Sequence, residues 1–158
     1  MSLVPHLSAT FLAAILLSAS LPAASAEEPA QTPAVTATAT AQPHRLVIQM
    51  NKRDEEFQDH VLSNIVNLQK HYGMDDIEME VVAYGPGIWL VTDKSKFIKR
   101  VESLMLQNVT FTACGNTLDT VEASSGTRPT LIDGIEETQT GIVRIITLQE
   151  EGWSYLSP

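Results

Sequence analysis

At 158 residues with 44% hydrophobic side chains, the chain has room for one buried core and not for two independent ones. Its net charge is −9, of which Glu27 and Glu28 carry two, so residues 44–158 stand at −7. An acidic domain repels phosphate backbones, which argues against a nucleic-acid partner.

Residues 1–26 read as an export signal. From Leu7 to Ala26 no side chain is charged, and Phe11 to Leu17 forms an apolar centre. Pro22 follows, then the small-residue run Ala24-Ser25-Ala26. This pattern predicts cleavage after Ala26 and a periplasmic mature protein. The apolar stretch is shorter than the ~20 residues of a spanning helix, so no membrane span is expected in the mature chain. The segment before it holds His6 and no Lys or Arg, which leaves an uncleaved anchor as the alternative. No cysteine lies near the cut, which excludes lipid modification there. Residues 27–43, dominated by Ala, Thr and Pro, lack the apolar surface to offset chain entropy. They are expected to be a disordered linker to a domain at 44–158.

Arg45 to Met50 is a short apolar run suited to a buried strand. Asn51 to Asp54 offers capping side chains for the helix that follows. Phe57, Val61, Ile65, Leu68 and Tyr72 share one helical face, and Gly73 is placed for a left-handed cap. Ile77, Met79, Val81 and Ala83 alternate with Glu78, Glu80 and Val82, which predicts a strand whose two glutamates face solvent. Tyr84-Gly85-Pro86-Gly87 is a turn. Phe97, Ile98, Val101, Leu104 and Met105 line a second helix, ended near Asn108. The cluster Lys94, Lys96, Lys99 and Arg100 fits a solvated face of this helix better than an anion dock.

Val109 to Ala113 alternates as a third strand and runs into Cys114-Gly115-Asn116-Thr117. Leu118 and Val121 predict a short helix, and the chain near Ile135 is expected to be extended. Ile142, Val143, Ile145, Ile146 and Gln149 fit a last helix, and Trp153 to Leu156 a terminal strand. Strands and helices alternate, which predicts α/β architecture: a mostly parallel sheet of about five strands with helices on both faces. Right-handed crossovers then bring Asn51–Asp54, Tyr84–Gly87 and Cys114–Thr117 to one carboxyl rim of the sheet, the edge where open sheets bind ligands.

Two readings stand at Cys114, the only cysteine. With Gly115 after it and a helix opening beyond, backbone N–H groups approach its sulfur and favour a thiolate, the species that sulfane-sulfur transfer or redox chemistry needs. Otherwise it is a small buried hydrophobe at a strand end. The Gly85 and Gly87 turn either presents N–H groups to an anion or merely redirects the chain. Asn116 fits a helix cap or a ligand-orienting side chain. The turn lacks the third glycine of a dinucleotide fingerprint, so no nicotinamide or flavin cofactor is expected. His60 and His71 share a helix but stand about 16 Å apart along it, so no metal site is expected. There is no Gly-x-Ser-x-Gly elbow. Trp89, Trp153 and Tyr155 fit core or subunit contacts.

Three blocks, Val82-Ala83-Tyr84-Gly85-Pro86-Gly87-Ile88, Val109 through Thr117, and Gln149-Glu150-Glu151-Gly152-Trp153-Ser154-Tyr155, together resemble the DsrE/DsrF-like family. The likeness is to its small single-domain branch, labelled intracellular sulfur oxidation proteins, and extends from His44 to the C-terminus. The export signal departs from that label. The resemblance implies a three-layer α/β/α fold, homo-oligomers and, in the better-understood branches, sulfur carried as a cysteine persulfide between donor or acceptor partner proteins. It favours Cys114 as a persulfide site, with Gly85, Gly87, Gly115, Asn116 and Thr117 as ligand-binding neighbours. The second class of function is a non-catalytic homo-oligomeric module binding a small anionic or thiol ligand.

Overall fold

The apolar and alternating runs at 44–50, 77–83 and 109–114 become strands that enter the sheet in the same direction. In the computed structural model, which describes residues 43–158, the strands are β1 (His44–Met50), β2 (Ile77–Ala83), β3 (Val109–Cys114), β4 (Glu136–Thr138) and β5 (Ser154–Leu156). All pairings are parallel, and the order across the sheet is β4-β3-β2-β1-β5. The α/β expectation of about five strands is met. The signal segment 1–26 and linker residues 27–42 lie outside the described residues. Among the described residues, no helix is long and apolar enough to cross a membrane.

The helices are α1 (Glu55–Tyr72), α2 (Ile98–Met105), α3 (Gly115–Ser125) and α4 (Gly141–Glu150). Asp54 caps α1 by accepting the Phe57 N–H at 2.8 Å. Glu55 and Glu56 in the first turn, and Lys70 and His71 in the last, complement the helix dipole. Gly73 ends the helix at φ 100°, ψ 146°, a positive φ that favours glycine although outside the left-handed helical well, and its N–H donates to Gln69 O at 2.9 Å. The Tyr84–Gly87 turn opens a 3-10 helix, Gly85–Val91, that buries Ile88, Leu90 and Val91. Gly87 is pressed against the backbone at the end of β1, where any Cβ would overlap the Met50 carbonyl.

Topology divides the sheet into two unequal faces. The chain steps β1 to β4 in one direction, with α1, α2 and the 3-10 helix on a single face. That face is apolar: Ile48, Met50, Met79, Val81 and Phe111 meet Val61, Leu62, Ile65, Val101 and Leu104. To reach β5, beside β1, the chain must return the other way, and a right-handed crossover then puts α4 on the opposite face. There α4 lays only Ile145 and Leu148 on Val47 and Val82, with Tyr84 and Trp153 at the margins. The three layers are therefore a thick apolar side, the sheet, and one helix.

Candidate functional site

Strand alternation puts Glu80, Thr112 and Cys114 on the thinly covered face, the first on β2 and the others on β3. Cys114 is the last residue of β3 and the N-cap of α3, extended at φ −83°, ψ 112°. At that position its side chain stands beside Asn116 and Thr117, but it makes no cap hydrogen bond, and the Asn116 N–H donates to Gln139 O at 2.9 Å. A second helix reaches the same sulfur, for the Gly141 N–H in the first turn of α4 donates to Sγ at 3.2 Å. Glycine at 141 permits that approach: an added Cβ would lie 3.1 Å from Cys114 Cβ and 3.3 Å from Val82.

Burial opposes ionisation of this thiol and is the largest single influence on it. The Gly141 N–H, the Thr117 hydroxyl and N–H, and the Asn116 N–H together outweigh it, so the Cys114 thiol titrates below its ordinary value. The residue is only 6% exposed, which makes the way to Sγ narrow.

The three rim segments do converge. The Tyr84 N–H donates to Met50 O at 3.0 Å, and the Gly85 N–H donates to Thr117 Oγ1 at 3.0 Å. The Gly87 N–H donates to Tyr84 O at 3.1 Å. Both turn amides are thus engaged within the chain rather than presented to an anion, which fits the plain connecting role. Thr117 joins the turn to the thiol. Gly115 is buried against β4, with Glu137 Oε1 at 3.0 Å from where its Cβ would stand. Asn116 does not occupy the cap position, which Cys114 takes because α3 starts directly from the strand. Instead Asn116 ties the starts of α3 and α4 together, donating to Thr140 Oγ1 at 3.1 Å and accepting from Gln139 Nε2 at 2.7 Å.

The sequence reading placed Glu80 on the solvent side, and the structure corrects this. Glu78 is exposed, but Glu80 is 2% exposed beneath α4. Its Oε1 accepts from the Thr112 hydroxyl at 2.7 Å and from Arg144 Nε at 2.9 Å, and its Oε2 accepts from Arg144 Nη2 at 2.7 Å. The reason is the lone helix on this face, which carries Arg144 inward to meet the carboxylate. Among the described residues no buried side-chain nitrogen or oxygen lacks a partner. Gly141 and Arg144 carry no role in the sequence analysis. A glycine opening a helix, and an arginine one turn later, were the available signals.

Outside this corner, Arg128 bridges Asp119, Glu122 and Glu137 at the edge of the sheet. A cleft of about 460 Å³ opens at the amino edge of the sheet, lined by Met74, Asp75, Glu78, Met105 and Thr110, and holds none of the predicted site residues. No group of three or more His, Cys, Asp or Glu able to hold a metal occurs among the described residues.

No protein-family model and no curated protein matches the chain. Solved structures do. The chain is similar to the ychN protein of E. coli, at 19% identity and TM-score 0.56, over 73% of this chain and 99% of that one. It is also similar to BT1422 of Bacteroides thetaiotaomicron, at 14% identity and TM-score 0.50, over 72% and 93%. Both likenesses concern the fold alone. A stronger one is to MTH1491 of Methanobacterium thermoautotrophicum, a protein of unknown function, at TM-score 0.66 and 30% identity over 73% of this chain and 99% of that one. With that identity sustained along the other protein's length, the chain belongs to the same family as MTH1491.

Proposed function

We propose that the protein is a periplasmic DsrE-like sulfur carrier or sulfurtransferase-like protein that holds sulfane sulfur on Cys114. The observation that carries this reading is the Gly141 N–H, in the first turn of α4, at 3.2 Å from the sulfur of Cys114 at the N-cap of α3. Such donors stabilise a thiolate and, equally, the terminal anion of a persulfide. In the transfer, the Cys114 thiolate attacks the outer sulfur of a donor persulfide. The donor's S–S bond breaks, a new S–S bond forms on Cys114, and the donor leaves as its own thiolate. One anion enters and one departs, with no external oxidant. The narrow opening at Cys114 favours a thin, linear donor over a bulky one.

Export through the 1–26 segment, assembly into homo-oligomers and a donor or acceptor protein partner complete the proposal. Terminal sequencing of the mature protein should find Glu27 first. Exposure to polysulfide or thiosulfate should add one or more sulfur atoms to Cys114, read by mass spectrometry, and Cys114→Ser should abolish the gain while keeping the fold. A thiol inert until the protein unfolds would sink the carrier reading. The 6% exposure of Cys114 is the observation that favours the second reading, a non-catalytic homo-oligomeric module for a small anionic or thiol ligand.

A further inference from the structure

We propose that buried Glu80 and its half-buried partner Arg144 form the positioning device that keeps the first turn of α4 against Cys114, an inference that rests on the thiol reading above. Spacing is the first argument. Thr112 and Cys114 lie two residues apart on one face of β3, about 7 Å along the strand. Gly141 and Arg144 lie three residues apart on α4, one turn, about 4.5 Å of rise. Each strand residue is joined to one helix residue. Gly141 meets Sγ directly, and Arg144 reaches Thr112 through the shared Glu80 carboxylate. The helix is thus pinned to the sheet at consecutive turns.

The second argument concerns what else holds α4. Asn116 holds Gln139 and Thr140, just ahead of the helix, to the start of α3. Along the body of α4, Ile145 and Leu148 rest on Val47 and Val82, and that apolar contact sets the distance between helix and sheet. It is non-directional, so it resists sliding along the helix axis only weakly. A two-pronged guanidinium–carboxylate contact fixes direction as well as distance. An N–H···S contact is lost with a slide of about 1 Å, so the axial position of α4 decides whether Gly141 serves the thiol at all.

The pair carries no net charge and neither member is among the groups that set the Cys114 thiol, so removing both acts on the thiol through geometry. The other titratable or charged groups at this corner are Tyr84 at the end of β2, Asp119 on α3, and Glu137 on β4 with its partner Arg128. Glu136 and Glu151 act on Arg144 from β4 and from the end of α4. All of these remain in the variants below.

The test follows the rate of Cys114 alkylation by iodoacetamide against pH in the exported, mature protein. The double variant Glu80→Leu/Arg144→Met replaces the pair with apolar side chains, an exchange that buried ion pairs commonly tolerate. Its midpoint should rise by about half a pH unit or more toward the ordinary thiol value. Arg144→Lys, which keeps the charge and loses the fork, should rise by less. If the double variant fails to fold, Thr112→Val removes one of the carboxylate's three bonds and should move the midpoint the same way. A folded double variant, or in its place a folded Thr112→Val, with the wild-type midpoint overturns the positioning role and leaves the thiol reading standing. A wild-type midpoint already at the ordinary value defeats the thiol reading and takes this inference with it.

Discussion

The two faces of one sheet are built on opposite plans. On the first, every second strand residue is apolar and meets α1, α2 or the 3-10 helix, so position follows from burial alone. On the second, a single helix covers a strip holding a buried carboxylate, a buried threonine and the thiol, and it stays in place through directed bonds. Non-directional packing tolerates small shifts, whereas a corner that must hold a donor at 3.2 Å from a sulfur does not. The candidate site therefore lies on the thinner side, where polar contacts set geometry.

The largest expected effects test the apolar face. Phe111 is 1% exposed at the centre of the main core, and Phe111→Ala should cost about 4 kcal/mol by lost burial and a residual cavity. Urea unfolding monitored by Trp fluorescence would measure it. A loss under about 1 kcal/mol would mean that the core does not depend on close packing there. The thin face should answer differently. Arg144→Met leaves Glu80 buried without its partner and should cost about 3 kcal/mol, toward the low end for such pairs because the arginine side chain is 34% exposed. Removing both charges should restore most of that loss, a recovery that no double truncation in the apolar core would show.

The same contrast explains what was readable in advance. Alternation in β1, β2 and β3 and the helical stripe of α1 were legible because each faces a deep apolar layer, where sequence period and burial coincide. Glu80 was not, because a glutamate alternating with apolar residues looks solvent-facing unless the arginine that covers it is known. That arginine comes 64 residues later in the chain, and only the return crossover of α4 brings it over β2. Cys114 could be found as a strand-end thiol beside a glycine, but the second helix start at Gly141 could not, since it depends on the same crossover. The sequence leaves the Gly85 and Gly87 amides open between two roles. A Gly-Pro-Gly turn can present free N–H groups or only redirect the chain, and here Thr117 Oγ1 and Tyr84 O take both amides.

A smaller effect should come from the thiol itself. Its folded-state pKa is depressed, so between that value and the unfolded thiol's ~8.5 the unfolded chain binds more protons than the folded one. Stability from this source is therefore fully present above the unfolded pKa and is lost as pH falls through the folded one. Each unit of depression corresponds to about 1.4 kcal/mol. Relative to Cys114→Ser, the wild type should gain stability as pH rises across that window and then level off. A constant difference between the two proteins across the window would mean that the converging amides do not favour the thiolate.

The smallest effect on the fold is expected on the outer side of α4. Ile142, Val143 and Ile146 were read with Ile145 as one apolar helix, yet only Ile145 among them faces the sheet, and these three are 47%, 55% and 48% exposed. A helix apolar on both sides is normally covered on both. Its neighbours Glu150 and Glu151 are charged and exposed, so the aliphatic ridge is bounded rather than continuous with the rest of the surface. Under the proposed homo-oligomer this ridge is where another copy would sit. Ile146→Glu should then change the monomer's folding stability by no more than about 0.5 kcal/mol, because the side chain makes no core contact to lose. It should nonetheless lower the mass measured by light scattering at micromolar concentration from that of an oligomer to that of a single chain. Two results would break the expectation. A wild type that is already monomeric at that concentration removes the assembly, and an Ile146→Glu protein that stays oligomeric moves the contact away from α4.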